Sequence, residues 1–247
     1  MDTSESKPAI LFIGGAQRLG ASLCRSASLR GYSVAIHYYS SADEAKALSE
    51  ELWLHGSDCD TFQGNLKSAE TARSLVLKVQ ERFPNLAGIV YGASDYSPDH
   101  WSDVDPQRIQ EELALQSTSI LSVARAWYKT EVNNGWFTTI LDARLEAKAE
   151  KHFSYQLARR NAKDMTMFLA GELAPKIRVN ALAPGLIMPG QESTEQWKKA
   201  VSALPIARPG TPAEVAQGLW FFTDNPYVVG QILFIDGGRH LKERPYG

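Results

Sequence analysis

A chain of 247 residues, 44% of them hydrophobic, has enough apolar material for one substantial core, and single α/β domains commonly reach this length. Its 26 basic and 28 acidic residues leave a formal charge of −2, which gives no electrostatic reason to expect nucleic acid or an anionic membrane as partner. Only two cysteines, Cys24 and Cys59, no long apolar run, and a polar stretch over residues 1–8 argue against a disulfide framework, a spanning helix and a signal peptide, and predict a reduced, cytoplasmic protein.

The first element lies in residues 9–20, AILFIGGAQRLG. Ile10, Leu11, Phe12 and Ile13 are consecutive and apolar, as in a strand buried on both faces of a parallel sheet. Gly14 and Gly15 permit a tight turn, and Gly20 lets the following helix pack closely on the strand. The start of that helix aims unpaired N–H groups at whatever lies over the turn, a place suited to a diphosphate. A second apolar run follows at 32–39, and this strand–helix–strand context favours a dinucleotide-binding turn over a purely packing one.

Apolar runs at 10–13, 33–39, 59–63, 88–91, 136–141, 178–183 and 232–235 alternate with helical patterns near 18–30, 42–55, 68–83, 105–132, 153–173 and 212–223. The alternation predicts a Rossmann-type, doubly wound α/β fold: a seven-stranded, mainly parallel sheet with helices on both faces, in one domain over 1–247. The second run ends His37-Tyr38-Tyr39-Ser40-Ser41, with no acid before Asp43. An acid there would repel a 2′-phosphate, whereas hydroxyls and Arg18 would accept one, so NADP is preferred to NAD. Asp142 closes the run 137–141 at a carboxyl strand end, where open α/β sheets bind ligands. Tyr155 and Arg159 share a helix face. They form a candidate phenol acid with a fixed cation, although a half-buried aromatic and a solvated charge satisfy the same spacing. Residues 184–211 form a long segment interrupted by prolines, as in a lid, ended by the capping box of Thr211, Pro212 and Glu214.

Taken together these residues resemble the short-chain dehydrogenase/reductase family over nearly the whole chain. The resemblance is carried by the glycine turn at 14–20, Tyr155 with a cation four residues on, Arg178-Val179-Asn180 leading to Pro184-Gly185, Arg208-Pro209-Gly210-Thr211-Pro212, and Asp236-Gly237-Gly238. Within the family the chain is most similar to the pteridine reductases, dihydromonapterin reductase among them. Arg18 replaces the middle glycine, 37–45 resembles their NADP-binding segment, Asp142 stands where most members carry a catalytic serine, and the ending 236–241 resembles the monapterin enzymes.

The resemblance implies an NADPH-dependent reductase of a dihydropterin, with no metal, acting in folate metabolism as a homotetramer or dimer. It places the cofactor on Gly14, Arg18, Leu19, Gly20, Tyr39, Ser40 and Ser41, continuing over Asn65, Leu66, Gly92, Ala93, Ser94, Pro184 and Gly185 to Tyr155 and Arg159. It places the pterin among Arg18, Ser94, Tyr96, Asp142 and Leu186, with Tyr96 stacking on it. Tyr155 delivers the proton, supported by Asp142 and Arg159, and Gln116 stands for the relay asparagine. The chain departs from the family at Arg159 (usually lysine), at Tyr91 and Gly92 (usually asparagines), at Gln116, at Asn65 (usually aspartate) and at Ile13 (usually threonine). These departures motivate two alternatives: a catalytically impaired NADP-binding scaffold or sensor, and a carbonyl reductase with a different small substrate.

Overall fold

The computed structural model describes residues 7–146, 151–190 and 192–242; residues 1–6 of the polar N-terminal stretch, and residue 191 of the 184–211 segment, lie outside the described residues. Seven strands, β1 (Ala9–Ile13), β2 (Ser33–Tyr38), β3 (Cys59–Gln63), β4 (Leu86–Tyr91), β5 (Gly135–Ile140), β6 (Ile177–Pro184) and β7 (Ile232–Ile235), form one sheet in the order β3-β2-β1-β4-β5-β6-β7. Every neighbouring pair runs parallel. The helices are α1 (Arg18–Leu29), α2 (Ala42–Leu54), α3 (Ala69–Arg82), α4 (Pro106–Leu113), α5 (Ser119–Tyr128), α6 (Phe153–Leu173), α7 (Thr194–Ser202), α8 (Pro212–Asp224) and the short α9 (Arg239–Lys242).

The unbroken apolar run of β1 has a simple cause. Ala9, Leu11 and Ile13 enter one core, with α3, α5 and α6 supplying Leu75, Val76, Val123, Trp127, Ala162 and Leu169. Ile10 and Phe12 enter the other, with α1, α2 and α8 supplying Leu23, Ala27, Leu48, Leu52, Val215 and Phe222. A strand covered by helices on both faces has no polar side to show, and period 2 only sorts its side chains between two cores. Burying one such side chain contributes roughly 1.5–3 kcal/mol.

The chain turns to opposite sides after β1 and β4, so the loops leaving these two strands diverge at their carboxyl ends and open a crevice. Ile13 pairs with His37 on one side and Tyr91 on the other, which brings the glycine turn, the end of β2 and the loop after β4 to one rim.

Two elements differ from the sequence expectation. The pattern near 105–132 is not one helix: between α4 and α5, residues Ala114–Thr118 form a π-helical turn in which Ser119 N–H donates to Ala114 O. The second is α7, inside the segment 184–211. Its start carries a full capping box, Ser193 with Gln196, and none of its residues is buried. The capping box of Thr211 and Glu214 forms as expected, reinforced by the Arg208–Glu214 ion pair at 2.7 Å.

Candidate active site

The glycine turn is held from below by His37. Gly14 N–H donates to Nδ1 at 3.3 Å, and Nε2 lies 3.0 Å from Gly64 O, so the neutral ring with its proton on Nε2 ties the turn to the loop after β3. Burial holds this imidazole down at about 4, against 6.5 for an ordinary histidine. A folded-state value below the unfolded one means that stability is complete above pH 6.5 and falls as pH drops toward 4. The total loss is about 3 kcal/mol. His37→Gln removes this titration, and urea unfolding across that window should show a flatter pH dependence than the parent; an unchanged slope would assign the acid sensitivity to other groups.

Gly14 adopts φ +75, and a Cβ there would lie 3.0 Å from Ala93 N. A Cβ on Gly20 would lie 2.3 Å from Gly14 O. The N-terminus of α1 has no side-chain cap and no acid in its first turn, so its N–H groups and positive dipole end stay open to an anion. A cleft of about 680 Å³ runs from this turn along the strand ends. It is lined by Gly14, Arg18, Leu19, Gly20, Tyr39, Ser40, Ser41, Asn65, Leu66, Gly92, Ala93, Ser94, Tyr96 and Arg159. The close backbone approaches, the open helix end and the elongated cleft fit a dinucleotide. Gln17, which also lines the cleft, donates from Nε2 to Glu44 at 2.6 Å.

Arg18, expected at the 2′-phosphate, lines the cleft together with Ser40 and Ser41. Its backbone adopts φ +50, a left-handed conformation that suits the glycine it replaces, and its guanidinium donates to Pro189 O at 2.8 Å and Met188 O at 3.4 Å. The long side chain straps the segment after β6 to the glycine turn. Arg18→Ala should raise amide hydrogen exchange across 186–190; an unchanged exchange pattern would show that the strap contributes nothing to that segment's stability.

Where Tyr96 and Arg159 line this cleft, they assemble with Tyr155, Asp142, Arg144 and His152 around the carboxyl end of β5. The Tyr155 hydroxyl donates to Asp142 Oδ2 at 3.2 Å. Arg144 backbone N–H donates to Asp142 Oδ1 at 2.7 Å, and its guanidinium contacts both carboxylate oxygens at 3.4 Å. The same guanidinium donates to the Tyr96 hydroxyl at 3.0 Å. The Tyr96 ring stands edge-on to Tyr155, centroids 4.8 Å apart, and stacks on His152 at 3.9 Å. Beneath this cover Tyr155 is only 6% exposed. Arg159 lies 5.2 Å from the Tyr155 ring centroid, donates to Ile140 O at 2.7 Å, and keeps a buried Nε without a protein partner.

Burial would push the Asp142 carboxyl up, but the charge of Arg144, its hydrogen bonds and the charge of Arg159 outweigh it and hold Asp142 below the usual carboxylate range. For Tyr155 the balance goes the other way. Burial pushes the phenol well above its ordinary value, and Arg159 draws it back only in part. The expected lowering by Arg159 is real in direction, but burial, joined by the charge of Asp142, outweighs it.

Gln116 lies in the π turn, fully buried; its Nε2 donates to Glu112 and its Oε1 has no protein partner. Tyr91 departs from the family's asparagine, yet it supports the fold here: its hydroxyl donates to Leu115 O at 2.6 Å, a carbonyl inside the π turn. Pro184, Gly185 and Leu186 stand at the end of β6, where Pro184 O accepts from Ala143 N–H at 3.0 Å and so adjoins Asp142. Three residues that sequence reasoning missed complete the arrangement. Arg144 carries no motif, His152 takes a left-handed conformation at φ +60 before α6, and Asp99 accepts from Ser154 N–H at 3.2 Å. Asp99 thereby caps the helix that carries Tyr155 from 55 residues away in the chain. A cap that comes from another loop leaves no local signal.

The model of the enoyl-(acyl carrier protein) reductase family matches residues 14–240. An uncharacterized oxidoreductase, YmfI, of Bacillus subtilis (strain 168) is 27% identical over 239 residues, 93% of this chain and 98% of its own length. The 3-oxoacyl-[acyl-carrier-protein] reductase FabG of Staphylococcus aureus (strain Mu50 / ATCC 700699) is 24% identical over 245 residues, 94% of this chain and 97% of its own. Among solved structures, FolM alternative dihydrofolate reductase 1 from Brucella suis, in complex with NADP, superposes with a TM-score of 0.89 at 30% identity, covering 95% of each chain.

Proposed function

The chain belongs to the short-chain dehydrogenase/reductase family and is an NADP-dependent oxidoreductase, and on that premise we propose that it reduces a C=N bond of a dihydropterin. The observation that carries this reading is the phenol–carboxylate pair, Tyr155 and Asp142 at 3.2 Å, beside an aromatic ring, Tyr96. A flat, electron-rich heterocycle is held by stacking, and a ring nitrogen needs a proton as its neighbouring carbon is reduced. The similarity to a FolM alternative dihydrofolate reductase supports the same substrate class.

Gly14, Gly20 and the first turn of α1 would hold the diphosphate, Ser40 and Ser41 the 2′-phosphate, and the free Nε of Arg159 a ribose hydroxyl. NADPH, when bound, supplies the two electrons and one hydrogen that the substrate carbon receives. Tyr155 supplies the proton to nitrogen: its raised pKa keeps the phenol protonated across the neutral range. Asp142, kept ionised, accepts the phenol O–H and fixes its direction until substrate takes over that contact. Arg159 stabilises the negative charge left on the phenol oxygen, without any need to lose a proton itself. Tyr96 moves from the edge of Tyr155 to lie over the bound ring.

A carbonyl reductase is the second reading, supported by the similarity to FabG. The ionised Asp142 argues against it, because a carboxylate beside the developing alkoxide of a reduced carbonyl opposes that charge. Oxidation of NADPH by purified protein is the test, with 7,8-dihydropterins and 7,8-dihydrofolate set against 3-oxoacyl thioesters and simple ketones. Turnover of the dihydropterins alone supports the proposal. Turnover of the carbonyls alone overturns it. Tight NADPH binding with no turnover would favour the scaffold or sensor role.

A further inference from the structure

We propose that Arg144 is a positioning residue of this reaction, holding Asp142 as the acceptor that aims the Tyr155 hydroxyl and fastening Tyr96 as the removable cover over both. The inference rests on the reading of Tyr155 as proton donor and adds a residue that neither the sequence motifs nor the fold assigned.

The geometry is that of a fork with three tines. The backbone N–H and the guanidinium of Arg144 together occupy both oxygens of Asp142, leaving Oδ2 shared with the phenol of Tyr155. The remaining reach of the guanidinium goes to the Tyr96 hydroxyl, 48 residues earlier in the chain and on a different loop. One planar group therefore links the acceptor to the cover, a bridge suited to arginine's fixed array of donors and poorly suited to a lysine point charge. The side chain is only 21% exposed and that of Asp142 19%, so the pair is shielded from solvent and its mutual attraction is strong.

The charged and titratable groups that face Asp142 are Arg144 from its own loop, Tyr155 and Arg159 from α6, and, through Arg144, Tyr96 from the loop after β4. His152, at the start of α6, stacks on the Tyr96 ring. Arg159 is committed to Ile140 O, so Arg144 is the cation whose guanidinium hydrogen bonds, beside its backbone N–H, keep Asp142 from taking a proton. A protonated Asp142 would donate to the phenol oxygen instead of accepting from it, and the phenol proton would no longer be presented correctly. Removing Arg144 thus has two separable effects: the carboxyl becomes easier to protonate, and Tyr96 loses its tether.

Arg144→Met and Arg144→Lys separate these effects. The first readout needs no substrate: nitration of Tyr155 by tetranitromethane in the cofactor-free protein, followed by peptide mass. Both variants should expose Tyr155 and speed its nitration several-fold, because neither methionine nor lysine can span Asp142 and Tyr96 together. The second readout is the pH profile of kcat/KM. In Arg144→Met the acidic limb should move to higher pH, with kcat falling roughly tenfold, the scale of one lost charge-assisted hydrogen bond. In Arg144→Lys the limb should stay close to that of the parent. NADPH affinity should be unchanged in both, which checks that the fold survives. Unchanged nitration of Tyr155 in both variants, or an acidic limb that stays in place in Arg144→Met, would overturn the proposal. If the parent protein reduces no dihydropterin, the function proposed above fails, while the nitration experiment still decides whether Arg144 fastens the cover.

Discussion

Tyr155→Phe should abolish most turnover while leaving NADPH bound. Loss of a positioned general acid costs on the order of 10²–10⁴-fold in rate. The phenylalanine ring keeps the edge contact with Tyr96 and the place beside the Arg159 guanidinium, so packing changes little. Asp142 loses one hydrogen bond but retains those of Arg144, so the carboxylate is not left unpaired and unfolding stability should shift by no more than about 1 kcal/mol. Steady-state rates, NADPH titration by fluorescence and thermal unfolding on the same preparation separate the three effects. Turnover within about tenfold of the parent would move proton delivery to another donor. In the active parent, the upward shift of the phenol predicts a rate that persists into alkaline pH, since the acid form is lost only above its raised pKa.

Gly20→Val should cost the cofactor site next most. A Cβ at this position would lie 2.3 Å from Gly14 O and 3.0 Å from Gly15 Cα, both backbone atoms that cannot swing aside. Relief requires α1 to move away from the glycine turn, and overpacking of this kind typically costs about 1–3 kcal/mol. Because the strain falls on the N–H groups that face the cleft, NADPH affinity should drop by roughly tenfold or more while the sheet stays folded. Gly171→Ala provides the control: a Cβ there meets nothing within 4 Å, and alanine in a helix interior should stabilise α6 by roughly 0.5–1 kcal/mol with no effect on NADPH. Equal affinity in Gly20→Val and the parent would remove the close approach at Gly20 from the account of the site.

The sequence exposed those parts of the molecule whose physics is local. Strand β1 announces itself because both of its faces are buried, Gly14 because the turn needs a positive φ, and α8 because Thr211, Pro212 and Glu214 are close together in the chain. Tyr155 and Arg159 share a face because a helix repeats. Contacts made across the chain gave no such signal. Asp99 caps α6 from the loop after β4, and the guanidinium of Arg18 crosses 171 positions to Pro189. Arg144 matters through Tyr96, and its type and spacing resemble those of any surface arginine until the fold closes. The shift of Tyr155 escapes the sequence for a related reason. The cation four residues away is visible there, but the burial that raises the phenol is a property of the assembled site. At position 91 the sequence showed only a departure from the family's asparagine, and not that the tyrosine hydroxyl supports an irregular turn.

That irregular turn sets a reading frame for the helices around it. A π turn holds one residue more than an α turn, so α5 continues from α4 out of phase by about 100°. In this phase Ile120, Val123, Ala124 and Trp127 all meet the core, while Glu112 faces Gln116 from the preceding turn. Rewinding 114–118 as a regular α-helix with every residue kept would rotate that whole apolar stripe away from the sheet, whereas deleting one residue would remove the extra one and leave the stripe in place. Inside the turn, the Leu115 carbonyl accepts from the hydroxyls of Tyr91 and Ser119. The chain thus carries one residue more than a regular helix needs at a stretch that looks, residue by residue, like ordinary helix, and that extra residue keeps the stripe of α5 on the sheet.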